Sequence, residues 1–153
     1  MFFQNIDEIL RFAISKEESS AAFYQSLAAK VSRPWMRDAF EEFAREELGH
    51  KARLETVLSG ARPAFPDGAA GKVTDLRIGD YLADVEPTPD MEYQEALILA
   101  MKMEKLAFKL YTDVAALTPD PAMKALLGSL AQEEAKHKLR FELEYDQYVN
   151  KEN

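Results

Sequence analysis

Four glutamates and two histidines stand where a helical pattern asks for apolar side chains: Glu17, Glu47, Glu104, Glu134, His50 and His137. No other histidine occurs in the chain. Apolar residues recur at alternating steps of three and four on either side of each, so all six fall on stripes that a helix turns toward its core. An ionised carboxylate buried without a partner costs several kcal/mol even after relaxation. Four in one layer therefore demand compensating charge. Two divalent cations, set among neutral imidazoles, would supply it. Glu47 and His50 are three residues apart, as are Glu134 and His137, so each pair shares a helix face. Glu17 to Glu47 and Glu104 to Glu134 both span 30 residues. Glu17 to Glu104, Glu47 to Glu134 and His50 to His137 each span 87, an offset repeated by Tyr24/Tyr111, Pro34/Pro121, Met36/Met123 and Lys51/Lys138. The chain thus reads as two copies of one helical hairpin carrying a pseudo-twofold set of polar residues.

Four long stripes must position that set. The first runs from Phe3 through Leu10, Glu17 and Tyr24 to Val31, and the second from Met36 through Phe40, Glu47 and His50 to Val57. The third runs from Tyr93 through Leu97, Glu104 and Tyr111 to Val114, and the fourth from Met123 through Leu130, Glu134 and His137 to Tyr148. No segment alternates with period two, which predicts an all-α fold. Asn5 with Glu8 reads as a capping box. Ser32-Arg33-Pro34, Thr88-Pro89-Asp90 and Thr118-Pro119-Asp120-Pro121 each set a cap residue before an early proline. Ser59-Gly60 ends the second helix. Short links make two antiparallel hairpins. Residues 60–89, rich in Gly and Pro, form the crossover between them, with a short helix expected over Asp75–Asp84. Helices of about 27 residues measure ~40 Å, a length the crossover can traverse. The expectation is one domain over residues 1–153, a four-helix bundle of two hairpins. Trp35 and the methionines Met36, Met101, Met103 and Met123 read as packing residues, and Glu46, Glu133, Lys51 and Lys138 as surface.

Composition narrows the function. The 153 residues carry 19 Lys and Arg against 27 Asp and Glu, a net charge of −8. So acidic a chain is a poor nucleic-acid binder. No cysteine is present, which excludes disulfides, thiolate nucleophiles and four-thiolate iron. The first residues lack the basic start of a signal peptide, and the longest apolar run, Ala96–Met101, is far short of the ~20 residues of a membrane span. A cytoplasmic protein without membrane or nucleic-acid partners is expected.

The constellation resembles the ferritin-like di-iron carboxylate family, most closely its rubrerythrin and erythrin branch, whose ligand pattern is one Glu from each of two helices and Glu-x-x-His from each of the others. The matching stretches are Ala13-Ile14-Ser15-Lys16-Glu17 with Phe23-Tyr24, Glu46-Glu47-Leu48-Gly49-His50-Lys51, Ala100-Met101-Lys102-Met103-Glu104 with Leu110-Tyr111, and Glu133-Glu134-Ala135-Lys136-His137-Lys138. The resemblance covers roughly residues 5–149. It implies two iron ions, with Mn or Zn possible in their place, because hard carboxylates and borderline imidazoles suit all three. Glu47 and Glu134 would bridge, Glu17 and Glu104 would be terminal, and His50 and His137 would each take one metal. Tyr24 and Tyr111, seven residues beyond Glu17 and Glu104, would hydrogen-bond ligand carboxylates of the opposite hairpin.

Two features depart from the rubrerythrin pattern. An additional Glu expected three residues after the third-helix ligand is replaced by Ala107, whose repeat mate is Ser20. The absent cysteines leave no rubredoxin module within the chain, so electrons would come from a separate rubredoxin-like donor. The resemblance implies a non-haem di-iron oxidoreductase that reduces hydrogen peroxide, or oxidises Fe(II) with O2 or peroxide, in oxidative-stress defence or iron handling. Iron storage in a ferritin-like shell and a non-enzymatic metal-binding bundle are the alternatives. A homodimer is expected, with a linker long enough to exchange hairpins between copies.

Overall fold

The computed structural model describes residues 2–60, 76–88 and 90–152. Four helices account for most of them: α1 (Ile6–Lys30), α2 (Pro34–Leu58), α3 (Tyr93–Ala115) and α4 (Pro121–Glu152). Among the described residues the only strand-like pairing is a single bridge between Phe2 and Arg77.

The punctuation of the sequence explains most of the boundaries. Asn5 is extended, and its side chain accepts the Glu8 N–H at 2.8 Å, which fixes the start of α1. Asn5→Ala should lower stability by about 1 kcal/mol. In a thermal melt that is a drop of roughly 2–4 °C for a chain of this size. Helix α2 starts at Pro34, but the cap position belongs to Arg33, which makes no side-chain cap bond, and not to Ser32. Helix α3 starts at Tyr93, later than Thr88-Pro89 suggests, because Thr88 is spent on a turn in which its carbonyl accepts the Met91 N–H at 3.3 Å. Asp120 accepts the Ala122 N–H at 3.3 Å at the start of α4. Gly60 ends the α2 turn at φ +82, a left-handed conformation open to glycine without strain.

Within each repeat the helices pack as an antiparallel hairpin. Between repeats, Tyr24 meets Glu104 while Tyr111 meets Glu17, so α1 and α3 also run antiparallel. His50 meets Glu133 while His137 meets Glu46, which sets α2 against α4 in the same sense. The crossover therefore has to travel the length of the bundle. Of the stretch Asp75–Asp84, Asp75 lies outside the described residues and the remainder forms only one 3-10 turn, Ile78–Tyr81. That turn is stitched to both repeats. The Phe3 N–H donates to the Leu76 carbonyl at 3.0 Å, Tyr81 packs on Phe3, and the Tyr81 hydroxyl donates to Asp113 at 2.7 Å.

Two apolar clusters fill the bundle. One gathers Phe3, Leu10, Leu54, Tyr111, Leu127 and their neighbours around the start of α1. The other gathers Tyr24, Leu27, Phe40, Leu97 and Phe141 around its end. The six polar residues of the stripes lie between them. Trp35 is a correction: it is 58% exposed and anchors no core, because Met36 and Phe40 take the inward positions of that turn. Met36 and Met123 are core residues as expected.

Candidate metal centre

Each helix delivers its polar residues to one layer at mid-length. Glu17, Glu47, His50, Glu104, Glu134 and His137 are all 1–2% exposed. Ligand-capable atoms of Glu17, Glu47, His50 and Glu134 lie within 4.8 Å of one another, and so do those of Glu47, Glu104, Glu134 and His137. Glu47 and Glu134 belong to both groups, as carboxylates shared between two ions must. The sequence set is therefore brought together in full, as two half-sites related by the repeat.

The unsatisfied atoms point the same way. Glu17 Oε2, Glu47 Oε1, Glu104 Oε2, both Glu134 oxygens, His50 Nδ1 and His137 Nδ1 are buried without hydrogen-bond partners. His50 Nδ1 lies 2.9 Å from Glu134 Oε1, 3.4 Å from Glu17 Oε2 and 3.6 Å from Glu47 Oε1. His137 Nδ1 lies 3.2 Å from Glu47 Oε1 and 3.5 Å from Glu104 Oε1. Ligand-capable atoms that converge on common points without hydrogen-bond partners are what a cation requires. The donor set fits two divalent ions in composition and in charge.

The other polar atoms of these residues are occupied. Tyr24 donates to Glu104 Oε1 and Tyr111 donates to Glu17 Oε1, each across the hairpin boundary, leaving Oε2 of each glutamate free to face the centre. Burial, and then the charges of Glu104 and Glu17, push the two phenols above their usual range, so both remain donors. His50 Nε2 meets Glu133 and His137 Nε2 meets Glu46, again crosswise. The sequence places Glu46 and Glu133 on the surface. Their carboxylates are 42% and 31% exposed, yet each reaches inward to an imidazole of the other hairpin. Lys51 and Lys138 pair with Glu18 at 2.9 Å and Glu142 at 3.0 Å and make no contact with the layer.

A ring N–H held by a carboxylate fixes the tautomer and raises the basicity of the opposite nitrogen. Glu46→Ala and Glu133→Ala should therefore each weaken metal binding by about 10–100-fold, with Gln recovering part of the loss. Competition against a coloured chelator measures this.

Burial dominates the electrostatics of the metal-free layer. It raises Glu17 to about 8, assisted by the charge of Glu47, and Glu47 to about 7, assisted by Glu134. Glu104 and Glu134 are also raised well above the ordinary carboxylate value, by burial first and then by their neighbours' charges. Burial opposes charge on the imidazoles too, but contacts with Glu134 and Glu17 outweigh it at His50, held at about 12. Contacts with Glu47 and Glu134 do the same at His137, held at about 9.

One buried acid escaped the sequence pattern. Glu144 is 2% exposed and accepts from Arg33 and, at 2.7 Å, from the Tyr93 hydroxyl. It ties α4 to the starts of α2 and α3. Its repeat mate is Val57, so the duplication carries no trace of it.

Comparison with known proteins agrees with this geometry. A hypothetical protein from Pyrococcus furiosus superposes with a TM-score of 0.75 at 25% identity, over 94% of this chain and 90% of its own. A ferritin-like diiron-carboxylate protein from Thermotoga maritima superposes with a TM-score of 0.76 at 18% identity, over 97% of this chain and 99% of its own. No curated protein matches the sequence. The rubrerythrin family model matches residues 8–145, a span holding both hairpins and the six converging side chains, and on that ground the chain belongs to the rubrerythrin family, with a ferritin-like fold.

Proposed function

We propose that this single-domain chain is a non-haem di-iron oxidoreductase that reduces hydrogen peroxide, or oxidises Fe(II) with O2 or peroxide, in oxidative-stress defence or iron handling. The observation that carries this reading is the set of orphaned oxygens and imidazole nitrogens around two points that share Glu47 and Glu134. When bound, an iron pair supplies the two electrons needed to cleave an O–O bond. The residues do the rest. Glu47 and Glu134 would be shared by both ions, while Glu17 with His50 and Glu104 with His137 would each hold one. Tyr24 and Tyr111 hold the terminal carboxylates by one oxygen, so that the other is already aimed before metal arrives. Side chains aimed in advance would need less reorganisation to take up the metal. The two apolar clusters exclude bulk water from the layer and strengthen its electrostatics.

Electrons come in this reading from a separate rubredoxin-like protein, and the chain works as a cytoplasmic homodimer. No described helix is long and apolar enough to cross a membrane. Leu139 and Leu143, 57% and 50% exposed one turn apart on α4, support a second copy as partner. Light scattering checks the dimer, and a monomer at every concentration removes it.

The decisive experiment is anaerobic loading with two Fe(II) per chain, followed by stopped-flow mixing with peroxide or with O2. Peroxide should oxidise the centre the faster. A clear preference for O2 would move the reading to ferroxidase, and no oxidation by either would end it.

A further inference from the structure

The repeat makes the two half-sites equivalent in their ligands, but the crossover has no repeat mate, and its described residues Tyr81, Ala83 and 85–87 lie on the Glu17 side. There, between α1, α3 and the crossover, is a cavity of about 50 Å³. Its floor includes Glu17 and Glu47, while Glu104 and Glu134 do not line it. Phe12, Leu106, Ala107 and Leu110 form apolar walls, Tyr81 closes one end, and residues 85–87 of the crossover form the mouth. Val85 at that mouth is 54% exposed.

On the other side the residues that match the end of this lining are deeply buried. Leu99 and Ala100, the repeat mates of Phe12 and Ala13, are 3% and 0% exposed. Ala107 and Ser20 both line the cavity and are small, so a longer side chain at either position would enter the space.

We propose that this cavity is the binding site and entry path for a small uncharged molecule of two or three heavy atoms, and that it serves the Glu17–His50 half-site and not the Glu104–His137 half-site. The volume admits a molecule of two or three heavy atoms, since about 10–15 Å³ of such space already holds one water. The lack of charge follows from the lining. Apolar walls strip the hydration that an ion would need, and Glu17 and Glu47 on the floor, with Glu86 at the mouth, repel anions. Lys16, the one cation in the lining, leans over the Phe12 ring at 5.5 Å. Hydrogen peroxide and O2 both satisfy these limits. The proposal rests on the reading of the six residues as metal ligands, and adds to it which half-site is open.

Two measurements test it, each on the full chain. Xenon, an uncharged probe of matching size, should bind the zinc-loaded protein saturably, shifting the methyl resonances of Ala13, Ala107 and Leu110 and not that of Ala100. Ala107→Leu should abolish these shifts. In the Fe(II)-loaded protein, nitric oxide should change the visible absorption at a rate that Ala107→Leu slows by at least tenfold while two irons remain bound. Ser20→Leu, filling the same space from α1, should act alike and covers the case in which Ala107→Leu fails to fold. Unaltered nitric oxide rates in either folded variant with two irons bound, or xenon shifts centred on Ala100, would overturn the route alone. A chain that takes up no iron would overturn the metal reading and this route together, even with xenon still bound.

Discussion

Replacing Glu47 and Glu134 together should remove both metal ions from the chain. Each belongs to both ligand groups, so the pair of substitutions strips two ligands from each half-site. His50→Ala or His137→Ala, by contrast, should cost mainly one ion, and by similar amounts, because each imidazole serves only one group. Elemental analysis after loading and desalting reads the result directly. Wild type should carry two ions, each histidine variant about one, and the double glutamate variant none. Two ions retained in a His50→Ala/His137→Ala double variant would show that the ligands lie elsewhere.

The same double replacement, made with leucine, should stabilise the metal-free protein at neutral pH. Every group in the layer is displaced upward: Glu17 to about 8 and Glu47 to about 7 from 4.5, and His137 to about 9 from 6.5. A folded pKa above the unfolded one means that the native state holds protons the unfolded state gives up. That contribution is complete below the unfolded values and disappears as pH climbs through the folded ones, so the apo protein should melt lower at about pH 8 than at about pH 5.5. Leucines at 47 and 134 remove two of the four mutually repelling carboxylates and continue the flanking cores. Exchanging buried ionic groups for apolar ones of similar size gains about 1–4 kcal/mol in comparable cases. That is roughly 2–16 °C for a chain of this length. Metal reverses the pH trend, because cations favour the ionised carboxylates and compete with protons. At a free metal concentration one hundred times Kd, each ion adds about 2.7 kcal/mol. Melting curves of apo and loaded protein across this pH range check both signs. An apo wild type that melts higher at the alkaline end, together with a leucine variant that melts lower than it, would show that the layer is not a buried carboxylate cluster.

Why the sequence discloses so much here is a matter of periodicity. A polar residue on an apolar stripe is visible without any tertiary knowledge, and six of them at matched offsets give the topology with the ligands. The tyrosines fall on the same stripes, so they share that visibility. Glu46 and Glu133 do not. They sit one residue before a stripe position, where a surface glutamate is the ordinary expectation, and only the crossing of α2 and α4 brings them to the opposite imidazoles. Glu144 is hidden for a similar reason: its partners Arg33 and Tyr93 come from two other elements, and no local spacing encodes their meeting. The cavity was illegible as well, since it depends on where the crossover lies.

The crosswise bonds give the bundle an unusual relation to its own halves. Tyr24, Tyr111, Glu46 and Glu133 each serve a residue of the other hairpin, so neither hairpin can complete a half-site from its own side chains. Two identical hairpins meeting about a strict twofold axis would reproduce the whole arrangement, the self-complementary contact of a symmetric dimer. The chain is in that sense a dimer fused after gene duplication, and the crossover is a tether that sets the local concentration of one half around the other. Closing such a loop costs only ~0.6 kcal/mol more for each doubling of its length. Selection on assembly therefore bears lightly on the length of the crossover, and was free to shape the part of it that covers one face of the metal layer.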